Sequence, residues 1–238
     1  MNIKYRVKFT KGEGVKYVSH LDVMRIFQRA LKRAEIPVAY SYGFNPHQLL
    51  SFAHPLSLGY TSEGEYGDFE IQSYVDPEDM KKRLNSTLPI GMEVKDVVVL
   101  KEKAGNAMAS VEGAEYEALL DIEIPDLDKK IKEFMQKEEI IALKKTKHNK
   151  KEVNIRPDIF NMMNVSDKDN TKIYMFLAAG SNNNVRADLV LESFYNFIGE
   201  DFNKFKIRFC RKDLFRRDGD NNLVRLNIGV ESDETNYN

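Results

Sequence analysis

The chain has 238 residues with a formal net charge of −1, 42% hydrophobic and 31% charged residues, the balance of an ordinary folded protein of one or two domains. Its longest uncharged stretch, 36–62, holds Pro37, Gly43, Asn45, Pro46, His47, His54 and Pro55, which excludes a membrane-spanning helix of about 20 apolar residues. Cys210 is the single cysteine, which excludes an internal disulfide and any cysteine-only metal or iron–sulfur site. With no signal-type apolar run at the start, the expected compartment is the cytoplasm.

Taken in chain order, Tyr5, Val7 and Phe9 alternate with Arg6 and Lys8 as in a half-buried strand, and Lys11 to Gly14 reads as its turn. Ser19, followed three residues on by Asp22, resembles a capping box; Met24, Phe27, Leu31 and Ala34 then line one helical face. Arg25, Arg29, Lys32 and Arg33 fall on the opposite face, and Pro37 stops the helix. Short strands are expected at 38–42 and 66–74. A second helix opens at Asp76-Pro77-Glu78 and closes at Leu88-Pro89, and an apolar strand covers 94–100.

That order, βαββαβ, is the ferredoxin-like arrangement, an antiparallel sheet with helices on one face. After a joint at 104–113 the order recurs: a strand at 116–124, a helix at 126–137, a basic strand at 140–147, an apolar strand at 172–178, a helix at 185–198 and a strand at 205–211. The expected fold is therefore α+β, with two tandem ferredoxin-like domains at 1–103 and 114–228 and an acidic tail at 229–238. No residue-level repeat relates the halves.

The connection 43–64, GFNPHQLLSFAHPLSLGYTSEG, carries no Lys or Arg, holds His47 and His54, and offers Phe44, Phe52 and Tyr60 for stacking. Long loops on rigid scaffolds are where sites are built. One reading makes Phe44, Asn45, His47 and Phe52 contacts to a ligand or RNA. The other makes the segment a buried extension of the sheet, with structural histidines. His20, His47 and His54 are the candidate acid–base groups, and no metal-ligand spacing joins them, so neither a metal nor a cofactor is expected. Cations cluster at 144–156, with Lys144, Lys145 and Lys147, and at 204–217, with Arg208 and Arg211. Together with Arg25 and Arg29 these are the candidate phosphate contacts, a solvated face or a guarded strand edge being the plainer reading of each cluster. No phosphate-loop, dinucleotide, nucleophile-elbow or zincin motif is present.

SHLDVMRIFQRALKRAEIP, followed by YSYGFNPHQLLSFAHPLSLGYTSEGEYGDFEI, resembles the signature of the radical SAM-linked protein family, with VNIRPDI and CRKDLF extending the likeness along the chain. The family pattern has Pro after the GFNPH histidine, where this chain has Gln48. The resemblance implies a bacterial protein encoded beside, or fused to, a radical SAM enzyme; no three-cysteine cluster motif occurs here, so the cluster belongs to that other protein. The expected role is an accessory protein that binds RNA or presents a substrate in tRNA or rRNA modification, with no catalytic motif of its own. Two rivals stand beside it. Tandem ferredoxin-like domains with basic surfaces are similar to CRISPR repeat-processing endonucleases, where His20, His47 or His54 would act in metal-independent RNA cleavage. The second rival is a pure protein adaptor without RNA contact.

Overall fold

In the computed structural model, residues 2–145, 150–181 and 183–232 are described. The chain is a mixed α+β protein whose strands pair mostly antiparallel. It divides into two compact units, one formed by 1–111 with 213–238, the other by 112–212. Residues 213–228, expected in the second half, thus return to the first.

The first unit begins with β1 (Ile3–Lys11), α1 (His20–Arg33), β2 (Leu50–Phe52), β3 (Thr61–Ile71), α2 (Pro77–Asn85), β4 (Met92–Val99) and the short α3 (Ala107–Ser110). β1 lies between β3 and β4, antiparallel to both, and β2 pairs with the other side of β3. Tyr5, Val7 and Phe9 of β1 enter a core with Val23, Phe27, Ala30 and Leu31 of α1 and Met80 and Leu84 of α2. The alternation read in the sequence is therefore the division between core face and polar face. Ser19 caps α1, its hydroxyl accepting from Asp22 N, and Asp76 caps α2 the same way from Asp79 N.

The strand expected at 38–42 is reduced to isolated bridges, Val38 to Ile71 and Tyr40 to Gln48. The pairing ends after Ala39, whose N–H donates to the Glu70 carbonyl; Glu70 N then donates to the Leu49 carbonyl, and β2 takes the place beside β3. Phe52 sits over Gly67 in that ladder. A Cβ on Gly67 would lie 2.7 Å from Phe69 Cε1 and 3.2 Å from Phe52 Cε1, so the position has room for glycine alone.

The polar face of the same sheet is a buried network. Arg6, 1% exposed, donates to both carboxylate oxygens of Asp68 at 2.7 and 2.9 Å and to the carbonyls of Leu226 and Gly105 at 2.6 and 2.8 Å. Asp68 also accepts from Ala107 N. Asp213 accepts from Lys8 at 2.7 Å, from the Tyr66 hydroxyl at 2.5 Å and from Arg225 at 3.0 Å. Burial, with the Asp213 charge second, pushes the Tyr66 phenol well above its ordinary range, so it stays a donor. These pairs fasten the returning C-terminal segment to β1 and β3.

The second unit holds β5 (Gly113–Leu119), α4 (Leu127–Met135), β6 (Ile141–Lys145), β7 (Lys150–Asn154), β8 (Ile159–Asn164), β9 (Lys172–Ala178) and α5 (Ala187–Ile198). β10 (Arg208–Arg217) begins in this unit and ends in the first, where its last residues pair with β11 (Leu223–Arg225). β9 lies between β5 and β8, antiparallel to both. The basic strand expected at 140–147 is β6, which pairs with β7 in a separate two-stranded sheet, and the strand beside β9 is β8. No helix among the described residues is long and apolar enough to cross a membrane.

Candidate functional site

The loop after α1 is closed on itself. Ser41 N donates to the His47 carbonyl at 2.8 Å, the Ser41 hydroxyl lies 2.8 Å from His47 Nδ1, and His47 N donates to that hydroxyl at 3.1 Å. Between these anchors Gly43 has φ +120°, a conformation that side chains disfavour. The closure leaves Tyr42 at 104% and Phe44 at 105% exposure, with Asn45 and His47 exposed beside them. Gln48 docks the loop on α1 through a long contact, 3.4 Å, to the Gln28 carbonyl. Arg25, Arg29 and Lys32, all exposed, flank Gln28 on the helix. Arg25 is paired with Asp22 at 2.9 Å; the Ser19 hydroxyl first, and Arg25 second, hold the Asp22 carboxyl below its usual range.

Phe52, expected beside Phe44 as a loop contact, belongs to the core. Its ring lies 5.8 Å from Phe9, 5.6 Å from Phe27 and 6.0 Å from Phe69. Of the three candidate histidines, the structure brings two together. His20, the first residue of α1, stands edge-on to Phe52 at 5.9 Å. His54 follows Ala53, whose N–H donates to the Tyr66 carbonyl at 2.9 Å. Both imidazoles, half-buried, line a cavity of about 20 Å³ with Phe9, Lys11, Phe52 and Glu65. That is room for about one water.

Lys11 and Glu65 reach this cavity from the core side of the sheet and are 3% and 7% exposed. A bulge between Phe9 and Lys11 sets Glu65 opposite Phe9 and Ser62 opposite Lys11, the local distortion that re-aims side chains near sites. The Lys11 ammonium donates to the carbonyls of Lys16 and Val18 at 3.1 and 2.8 Å, tying the approach to α1 to the strand. Sequence reasoning missed both residues, although a signal existed: Lys11 falls on the same alternation as Tyr5, Val7 and Phe9, a cation at an inward position.

In the second unit, Lys144 lines a groove of about 410 Å³ with Arg186, Lys204, Phe205, Asp188 and Glu192. Phe205 is 88% exposed, with the Lys204 ammonium 5.2 Å from its ring. Arg208 is exposed at the start of β10. Arg211, expected as a phosphate contact, is fully buried and presents no guanidinium to a polyanion. The side chain of Lys145 and the whole of Lys147 lie outside the described residues. Among the described residues no group of three or more His, Cys, Asp or Glu side chains gathers as a metal site.

The molecule is thus an α+β protein that presents cations and aromatic rings on surface loops and keeps a two-histidine cavity beneath one of them. Its sequence from 4 to 187 matches the family described as an uncharacterized protein conserved in bacteria (DUF2344), and the chain belongs to that family. No curated protein matches it. Among solved structures it is similar to an unknown protein from Galdieria sulphuraria, at 11% identity and a TM-score of 0.25, over 90% of this chain and 98% of that one.

Proposed function

We propose that the protein binds single-stranded RNA and presents it to a partner enzyme, the radical SAM enzyme that the sequence resemblance implies, in tRNA or rRNA modification. The observation that carries this reading is the complete exposure of Tyr42 and Phe44 on a loop docked against the cationic face of α1. Rings held in water on a hydrogen-bonded loop contribute nothing to the core, whereas unpaired bases stack on such rings and phosphates meet the neighbouring arginines. The groove around Lys144, Lys204 and Phe205 repeats the pairing of ring and cation.

The finer reading of the fold, two ferredoxin-like units, is part of the same proposal. β4-β1-β3 in the first unit and β5-β9-β8 in the second each follow that strand order, with helices after the first and third strands. Anisotropy of a labelled single-stranded RNA across a salt series tests the function. Binding that weakens steeply with salt and is lost on replacing Tyr42 and Phe44 by Ala supports it. RNA that fails to bind at low salt, with the partner enzyme still co-purifying, would leave a protein adaptor.

A further inference from the structure

We infer that a pocket on the polar face of the first sheet receives one guanine base of the bound RNA. That the ligand is RNA rests on the reading above; the choice of base rests on this pocket alone. It lies between β2, β3 and the segment that follows β4, entirely within the first unit, and has a volume of about 210 Å³. A cavity of about 150 Å³ takes a benzene ring, so this one has room for a single heteroaromatic base and none for the sugar and phosphate that carry it. Leu49 and Leu100 give it apolar walls. His47, the residue that closes the exposed loop, lines the same pocket. Phe44 is three residues earlier, at most about 11 Å along the chain, so a base in the pocket and a neighbouring base on that ring belong to one short stretch of strand.

The polar groups of the pocket select among bases. Lys4 and Glu70 stand opposite each other across β1 and β3, and both line it. Along the same face Arg6 and Lys8 are closed by carboxylates at 2.7 Å, whereas Lys4 Nζ stands 3.8 Å from Glu70 Oε1, an ion pair without a hydrogen bond. Asn2 donates to Glu70 Oε2 at 3.2 Å, which leaves lone pairs on both carboxylate oxygens. The neighbouring Asp68 is taken up by Arg6 and Ala107 N. Glu70 therefore offers two adjacent acceptors, and Lys4 offers a donor beside them. Of the four RNA bases, guanine alone presents the complement on one edge: N1–H and the N2 amino group side by side, with the O6 acceptor next to them. Adenine sets its N1 lone pair beside its amino group, cytosine sets its N3 there, and uracil has one N–H between two carbonyls. Each of these turns a lone pair toward the carboxylate, whereas an ammonium on guanine O6 is a favoured contact.

The test measures anisotropy of the full chain at fixed salt with a labelled all-uridine RNA and with the same RNA carrying one central guanosine. The guanosine should tighten binding by roughly 5- to 150-fold, the worth of one bidentate base contact. Inosine in its place, which lacks the N2 amino group, should give up most of that gain with the protein unchanged. Glu70→Gln keeps the volume but exchanges an acceptor for a donor; it should bind the two RNAs alike and hold the all-uridine RNA at least as tightly as the wild type does. Should that variant lose its fold by circular dichroism, the inosine comparison on the wild type decides alone. Both RNAs bound with equal affinity by the wild type would overturn this inference and leave the RNA-binding reading standing. A guanosine preference that survives in folded Glu70→Gln would overturn the pocket as its source. Guanosine 5′-monophosphate, tested in the same way, separates a free nucleotide from a base in a strand. Bound through Glu70 while neither RNA binds, it would overturn the RNA reading and assign the pocket to the nucleotide; with nothing bound, both readings fall.

Discussion

Phe44 and Phe52 are the same residue type in the same uncharged stretch, 36–62, and the structure gives them opposite work, which makes their replacement by Ala a paired test. Phe52 is 7% exposed, with Phe9, Phe27 and Phe69 within 6.0 Å, centroid to centroid. Phe→Ala in a core costs about 3–5 kcal/mol, and each lost aromatic pair is worth about 0.5–1.5 kcal/mol beyond burial, so the upper part of that range is expected. Phe44, fully exposed, loses no burial, and its removal should move stability by less than about 0.5 kcal/mol. Base stacking on a ring is worth about 1–3 kcal/mol. Phe44→Ala should therefore weaken RNA binding by roughly 5- to 150-fold. Urea unfolding followed by far-ultraviolet circular dichroism and RNA anisotropy, run on the same preparations, read both halves. Should Phe52→Ala fail to fold, Phe52→Leu keeps most of the volume and should show a smaller loss in the same direction. Phe44→Ala binding RNA as tightly as the wild type would refute the stacking argument. A wild-type unfolding midpoint for Phe52→Ala would refute the core assignment.

Other consequences are equally direct. Asp68→Ala strands the buried Arg6 guanidinium and should cost about 3–5 kcal/mol in urea unfolding, and a smaller loss would mean water reaches that face. Gly67→Ala forces a methyl against Phe69 and Phe52 and should lower stability by about 1–3 kcal/mol in the same assay. Neutralising Lys144 and Lys204 together should reduce the slope of log K against log[salt] for single-stranded RNA by roughly 1.4, at about 0.7 per phosphate contact. Arg211→Met, at a buried position, should leave that slope unchanged. Burial, with Asp121 and Glu200 behind it, pushes the Tyr195 phenol up to about 12. A folded pKa above the unfolded value of about 10 gives stability that is complete below pH 10 and is lost as pH rises toward 12. Urea midpoints across that window should fall less steeply for Tyr195→Phe than for the wild type.

Much of the first unit was legible because its signals are local. Ser19 and Asp76-Pro77 mark helix starts by chemistry within one turn, and the alternation from Tyr5 to Phe9 gives the core face directly. Where pairing is decided by distant residues, the sequence misled. Ile141–Lys145 alternates well enough for a strand, but whether it joins β9 or folds back on β7 depends on partners that periodicity does not name. β8 passed unnoticed because Phe160 and Met163 are 40% and 44% exposed, so its apolar residues do not keep to one face. Phe52 could not be told from Phe44 without Gly67 across the ladder. Arg211 is different: it shares parity with Ile207 and Phe209, so the period-two rule already assigned it inward, and the run of neighbouring cations obscured that.

The two faces of the first sheet show how buried charge holds distant segments together. On the polar face every principal charge is answered at short range: Arg6 by a carboxylate and two carbonyls, Asp213 by an ammonium, a phenol and a guanidinium. Such a network resists change, because removing any member leaves a buried charge or dipole unmatched, and it suits the task of holding residues 213–232 against β1. On the core side Lys11 is answered as well, by the carbonyls of Lys16 and Val18 at 3.1 and 2.8 Å, beside a space the size of a water. The Ser19 cap closes the helix start within one turn, and Lys11 joins that start to the strand. A charge buried on either face of this sheet therefore does the same work, joining β1 to the segment that packs against it.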